Sequence, residues 1–315
     1  MNVLSLFNGM NTGRQALENV GIKVDKYFSS EIKPYAIELT QYHFPDTIQV
    51  GDVTKWRDWD IDWKTIDLVL SGSPCQDLSA AGKRAGINGK KSSLFFVFVE
   101  ILEHIKSLNP NVLFLQENVG SASKLDVGIM SRALGVYPVR INSSLVTAQL
   151  RNRYYWSNIK TRQDGMFGDI VTDIPQPKDK EIFLKDILTF NKKYVKQINS
   201  DLIYYKNNEI RIKANNLTGY DIINDYDCIN LAFEVSKTRR GRVNSLKSPC
   251  LLKSNEPLYY FYNGLFYRLN KIELCRLQGF PDNYCDIISE NKSASLLGDG
   301  WTLPIIEHIF KFIQK

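Results

Sequence analysis

An α/β fold with a doubly wound, mostly parallel sheet is expected from three features of this sequence. It opens as strand, glycine-containing turn and helix; the unit recurs as far as Glu117; and each apolar run stops at a polar or acidic residue. Val3-Leu4-Ser5-Leu6-Phe7 reads as a short buried strand, Asn8-Gly9-Met10-Asn11-Thr12-Gly13 as a turn, and Arg14 to Asn19 as a helix by its apolar spacing. Val24 to Ser29 is a second strand ending at Glu31, Ile48 to Val50 a third ending at Asp52, and Ile66 to Leu70 a fourth ending at Ser71-Gly72. Leu94 to Ile105 is apolar nearly all round, as a buried helix is. Beyond Asn109-Pro110, Val112 to Leu115 is a further central strand ending at Glu117. Ligands of such sheets sit beyond the carboxyl ends of the strands, so Asn8, Glu31, Asp52, Cys75 and Glu117 are expected along one edge.

From about Thr161 the texture changes: Asp, Asn and Lys become frequent, Pro175 and Pro177 interrupt, and the alternation fades. A second domain is expected here, ending near Lys253, because Phe266 to Phe280 and Leu296 to Ile313 regain helical periodicity, with Pro281 and Gly298 as breakers between them.

Of the 315 residues 43% are hydrophobic, enough for a large core and a smaller second one. The net charge of +6 admits a polyanionic partner without requiring one. Five cysteines at irregular spacings, with no CxxC pair, point to neither a metal site nor a disulfide framework. The apolar start MNVLSLF lacks a charged leader, and no apolar run reaches membrane-spanning length, so a cytoplasmic protein with reduced thiols is expected.

Cys75 follows the fourth strand within Gly72-Ser73-Pro74-Cys75-Gln76, a tight loop that presents a thiol at a helix start, where a thiolate is favoured. An isolated cysteine is more often a small buried apolar residue, and Glu117 alone reads equally as a salt-bridged strand end. Arg151 and Arg153 stand at i and i+2, on one face of a strand, where arginines are ordinarily solvated.

Five blocks in order change that balance. FNGMNTG (7–13), GSPCQDLS (72–79), QENV (116–119), QLRNR (149–153) and RLNKIELCRLQGFP (268–281) resemble the motifs of DNA cytosine-carbon-5 methyltransferases, and cover most of the chain outside 160–250. The resemblance implies a Rossmann-like class I S-adenosylmethionine methyltransferase fold carrying an inserted, smaller target-recognition domain. The divisions are 1–159 catalytic and cofactor-binding, 160–253 target recognition, and 254–315 returning to the catalytic domain. The implied reaction moves a methyl group from S-adenosylmethionine to carbon 5 of a cytosine flipped out of double-stranded DNA, leaving S-adenosylhomocysteine. A monomer of bacterial or viral origin is expected, either as a restriction partner or as an orphan enzyme.

By the same resemblance Cys75 adds to carbon 6 of the base and Glu117 holds its amine and ring nitrogen 3. Arg153 contacts the carbonyl oxygen, while Arg151 stays near the Cys75 loop. Phe7, Asn8, Gly9, Met10 and Thr12 cradle the methionine part of the cofactor; Glu31, with Ile32, takes the ribose; Asp52, with Val53, meets the adenine. Pro74, Leu94, Gly300 and Trp301 complete that site. Two departures stand out: Asn11 or Thr12 occupies the place of a second glycine, and Gly298-Asp299-Gly300-Trp301 replaces a Gly-Asn-Ala block. Both move towards the eukaryotic de novo DNA methyltransferases.

Residues 160–250 hold 16 Lys and Arg against 12 Asp and Glu, a net of +4 out of +6. DNA contact is expected from Lys237, Arg239, Arg240 and Arg242 there, and from Gln76 and Ser79 in the cysteine loop, with Ser79 to Gly86 as a lid. The competing readings are methylation of RNA cytosine by the same fold, and a catalytically silent DNA-binding relative. The second is disfavoured by the presence of Cys75, Glu117 and both arginines.

Overall fold

The computed structural model describes every residue except 75–92, 167, 199, 233–234, 237–240, 255–257 and 315. Cys75, Gln76, Ser79, the expected lid, Lys237, Arg239 and Arg240 therefore lie outside the described residues. The rest divides into two compact units, the first made of Met1–Asn142, Asn152–Pro177 and Trp301–Lys315, the second of Ser143–Arg151 and Lys178–Gly300.

In the first unit, β1 (Asn2–Leu6), α1 (Thr12–Asn19), β2 (Lys26–Ser30), α2 (Pro34–His43), β3 (Ile48–Gln49), β4 (Leu68–Ser71), α3 (Leu94–Leu108), β5 (Leu113–Val119), α4 (Lys124–Leu134), β6 (Val139–Asn142) and β7 (Asn152–Ser157) follow in order. A short hairpin, β8 (Thr161–Asp164) and β9 (Asp169–Thr172), comes next. The seven-stranded sheet has the order β3-β2-β1-β4-β5-β7-β6. β1 pairs in parallel with both β2 and β4, β2 with β3 and β4 with β5, whereas β7 runs antiparallel between β5 and β6. The mostly parallel, doubly wound sheet is as expected. The order reverses on either side of β1, the switch point at which such sheets open a crevice.

Continuous apolar runs suit these strands because both faces are covered: Val3, Leu4, Leu68, Val69 and Leu70 are all 0% exposed. On α3 the fully buried residues are Phe95, Phe98, Ile101, Leu102 and Ile105, spaced three to four apart, so one stripe enters the core. Each such side chain contributes about 1.5–3 kcal/mol by leaving water. β5 runs past the apolar run Val112 to Leu115, since Gln116, Glu117 and Asn118 continue the strand and are themselves buried.

The second unit is mainly β. After α5 (Leu184–Ile187) come β10 (Ile203–Lys206), β11 (Glu209–Lys213) and β12 (Tyr220–Ile222) in one sheet. A second sheet has the order β14-β13-β15-β16, from β13 (Cys228–Asn230), β14 (Arg242–Asn244), β15 (Leu258–Tyr262) and β16 (Leu265–Arg268). α6 (Lys271–Gln278) and α7 (Glu290–Asp299) complete this unit, and α8 (Leu303–Phe310) belongs to the first.

Three expectations for the C-terminal part differ from what forms. The division at 253/254 cuts through a sheet, because β15 pairs with β13; residues 254–300 stay with the second unit and only Trp301–Lys315 return to the first. Phe266 to Arg268 is the end of the β15–β16 hairpin rather than helix, and α6 starts only where Asn270 caps the amide of Glu273. Gly298 lies inside α7 instead of breaking it, and a Cβ there would meet the Leu252 carbonyl oxygen at 2.3 Å, so this position needs glycine for close approach.

Candidate active site

The carboxyl ends of the parallel strands are in step: Leu6 of β1 stands beside Ser30 of β2 and Ser71 of β4. Beyond β1 the backbone is left-handed at alternate residues, Phe7 (φ 56°), Gly9 (φ 59°) and Asn11 (φ 62°), before α1 begins with no side chain capping its amides. Glu31 supports this turn. One carboxylate oxygen accepts from the Gly9 amide at 2.8 Å and the other from the amides of Ile32 at 2.8 Å and Lys33 at 2.9 Å. The same carboxylate thus ties the first loop to the start of α2. Asn8 is fixed by its amide on the Ser30 carbonyl and by Tyr27, whose hydroxyl donates to its side-chain oxygen.

Asp52 is held in the same way, Oδ1 accepting from the Thr54 amide and hydroxyl, each at 2.9 Å. These bonds, the amide first, keep its carboxyl below the usual range. Met10 and Val53 bury their side chains, whereas Ile32 is 69% exposed. Leu94 opens α3, half-buried, and Pro74 is the last described residue before Cys75.

Glu117 occupies the centre of the arrangement. Arg153 Nε lies 2.8 Å from its Oε1, and the Trp301 indole N–H donates to its Oε2 at 3.1 Å. The Trp301 ring also lies on the loop that leads to Cys75, for a Cβ on Gly72 would come within 2.8 Å of the indole nitrogen. Reading the sequence alone missed this Trp301–Glu117 bond. It also assigned no role to Ser73, whose hydroxyl accepts from Gln116 at 3.0 Å and from Asn118 at 3.4 Å, binding β5 to the same loop. The repeated polar residues of QENV and the serine of GSPC were the available signal.

The two arginines make different bonds. β7 begins at Asn152, so Arg151 precedes the strand; it is 2% exposed within the second unit. Its guanidinium donates to the carbonyls of Leu251 at 3.4 Å, Gly298 at 3.2 Å and Gly300 at 2.7 Å, and to Cys250 Sγ at 3.2 Å. Gly300 thereby presents its carbonyl to Arg151 and to Gln278. Arg242 is exposed on β14, one of the two edge strands of its sheet. Among the described residues no group of His, Cys, Asp and Glu is arranged to hold a metal ion, and no helix is long and apolar enough to cross a membrane.

The C-5 cytosine-specific DNA methylase family matches residues 1–315, the whole chain. The chain belongs to that family. Its members are S-adenosylmethionine-dependent methyltransferases. Among its relatives, the type II methyltransferase M.NgoBV of Neisseria gonorrhoeae is 30% identical over 242 residues, covering 70% of this chain and 56% of the relative. The type II methyltransferase M1.ScrFI of Lactococcus lactis subsp. cremoris is 28% identical over 324 residues, 98% of this chain and 76% of that one. This DNA methylase chain thus spans about half the length of the first of these relatives. In fold it is similar to the methyltransferase EhMeth of Entamoeba histolytica, with a TM-score of 0.61 at 16% identity over 100% of this chain and 99% of that one.

Proposed function

We propose that this methylase transfers a methyl group to carbon 5 of a cytosine in double-stranded DNA. The observation that carries the reading is the bracketing of Glu117 by Arg153 and Trp301 beside Gly72, three residues before Cys75.

The residues present fit S-adenosylmethionine. Uncapped amides at the start of α1 suit its carboxylate, a carboxylate at the end of β2 suits its ribose diol, and Asp52 suits its adenine amine. The buried carboxamide of Asn11, with neither polar atom partnered, lies within the same turn. Phe7 to Thr12, Glu31, Ile32, Asp52, Val53, Pro74, Leu94, Gly300 and Trp301 are the residues proposed to form this site. The bound cofactor supplies an electrophilic methyl group.

Carbon 5 of cytosine is a poor nucleophile until something adds at carbon 6. The Cys75 thiolate forms that carbon–sulfur bond and drives the 5,6 electron pair onto carbon 5. Glu117 holds the exocyclic amine and ring nitrogen 3, and Arg153 the carbonyl oxygen, where charge develops. Arg151, anchored on the Gly298 and Gly300 carbonyls, supports the segment that ends in Trp301. After transfer the carbon 5 proton leaves to water and Cys75 departs as thiolate, restoring the ring. The base has to leave the duplex first, which costs a few kcal/mol, roughly. Gln76, Ser79, Lys237, Arg239, Arg240 and Arg242 are proposed to contact the DNA that is held open. The setting is the cytoplasm, with the enzyme distributed on chromosomal or phage DNA.

The test is transfer of radiolabelled methyl from S-adenosylmethionine to unmethylated mixed-sequence duplex DNA, to RNA, and to neither, with Cys75→Ser alongside. Label in DNA, none with Cys75→Ser, and a covalent complex with DNA containing 5-fluorocytosine are expected. Label in RNA alone overturns the substrate, and an active Cys75→Ser overturns the mechanism.

A further inference from the structure

The two oxygens of the Glu117 carboxylate are engaged by donors of different kinds. Oε1 faces a guanidinium at 2.8 Å, a charge-assisted contact, and Oε2 receives a neutral indole N–H at 3.1 Å. Glu117 is only 8% exposed, so these donors set how its carboxylate is turned. Trp301 is closely packed. Its indole lies over Gly72, where even a methyl group would clash at 2.8 Å, and α8 begins two residues later with Thr302 and Leu303 both buried.

From this geometry we infer that Trp301 is a positioning residue for Glu117: its indole N–H fixes the plane of the carboxylate that receives the target base. The inference rests on the proposed role of Glu117 in holding the base. It also gives the tryptophan of Gly300-Trp301 a task separate from lining the cofactor site. A carboxyl group held by Arg153 alone can rotate about its last bond, whereas one oxygen has to accept from the exocyclic amine of the base while the other donates a proton to ring nitrogen 3, so both must be aimed. Trp301 removes that freedom without adding charge to the Arg153–Glu117 pair.

The experiment compares wild type with Trp301→Phe, which keeps an aromatic ring against Gly72 but loses the N–H, and Trp301→His, which retains a ring N–H. Single-turnover methyl transfer to unmethylated mixed-sequence duplex DNA is read together with the dissociation constant for S-adenosylhomocysteine. Trp301→Phe is expected to slow transfer about ten-fold, the loss typical of one hydrogen bond to a charged group. Its affinity for S-adenosylhomocysteine should hold within about two-fold, because ring packing is retained. Trp301→His is expected to recover part of the rate.

A double-mutant cycle with Glu117→Asp, which retains a carboxylate, tells a direct coupling from general disturbance. If Trp301 acts through Glu117, the cost of Trp301→Phe shrinks on the Glu117→Asp background. An unchanged rate in Trp301→Phe, or equal costs on both backgrounds, overturns the inference. So does a weakening of S-adenosylhomocysteine binding that accounts for the whole loss of rate. Full activity in Glu117→Ala would instead overturn the role proposed for Glu117 itself. Melting curves for each variant confirm that folded proteins are being compared.

Discussion

Arg153 and Glu117 form a diagonal pair across β5 and β7. Glu117 stands opposite Tyr155 and Val119 opposite Arg153, so Arg153, two residues along, shares a face of the sheet with Glu117 and reaches it at 2.8 Å. The side chains are 13% and 10% exposed, so each charge depends on the other. Arg153→Met is expected to destabilise the protein by up to about 3 kcal/mol, because it leaves a buried carboxylate with a neutral donor. Glu117→Gln combined with Arg153→Met should lose less than Arg153→Met alone. Urea unfolding of the three variants checks the order; a double mutant less stable than the single would contradict it.

Gly72 and Trp301 constrain one another sterically. Gly72→Ala is expected to cost about 1–3 kcal/mol by overpacking, since its Cβ would lie 2.8 Å from the indole nitrogen, 3.3 Å from Cε2 and 3.4 Å from Cζ2. It should also change the near-ultraviolet circular dichroism of the tryptophans. Replacing Trp301 by Leu in the Gly72→Ala background should restore part of the melting temperature, whereas no restoration would show that the clash lies elsewhere.

Asn11 carries two costs at once: a left-handed backbone (φ 62°, ψ 34°) and a fully buried carboxamide with no partner on either atom. Asn11→Gly removes both. The gain is offset by the greater freedom of glycine in the unfolded chain, and a net stabilisation of about 1 kcal/mol is expected. Thermal melting without added cofactor measures it, and a lower melting temperature would show that the carboxamide contributes packing that outweighs its lost hydrogen bonds.

Cys228 is 0% exposed, and burial pushes its thiol up to about 12. The folded state therefore keeps this proton after the unfolded state has lost it. Stability from this group is full below the unfolded value of 9.0 and is lost as pH rises towards about 12. Over that window the protein should lose about 1.4 kcal/mol per pH unit from Cys228, and Cys228→Ala should show a correspondingly shallower decline. Alkylation mapped by mass spectrometry should leave Cys228, Cys275 and Cys285, all 0% exposed, unmodified in the native protein at pH 8.

The strands of the first unit were legible because their signals are local: an apolar run such as Ile66 to Leu70 ended by Ser71-Gly72 specifies both the strand and where its loop begins. Glu31 and Asp52 were legible as strand-end carboxylates for the same reason. Relationships set by distant parts of the chain were not. The Trp301–Glu117 bond joins residues 184 positions apart, and Arg151 finds the Gly298 carbonyl 147 positions away. No periodicity encodes either. The pattern of Phe266 to Arg268 is short enough to fit either the helical or the strand period; pairing with Tyr259 to Phe261 makes it strand. Gly298 looks like a breaker in the sequence, which shows the missing side chain but not the Leu252 backbone that requires it to be missing.

The polypeptide passes between its two units four times, after Asn142, Arg151, Pro177 and Gly300. The second unit is therefore not a cassette that can be exchanged by one cut and one ligation. A chimera that swaps residues 160–253 would import β13 and β14 without the β15 and β16 that complete their sheet. It would also separate Arg151 from the Leu251 carbonyl and the Cys250 Sγ that it bonds. Lys178–Gly300 and Ser143–Arg151 make up one unit, so a transplant that keeps the bonds of Arg151 to Leu251, Gly298 and Gly300 has to carry both pieces together.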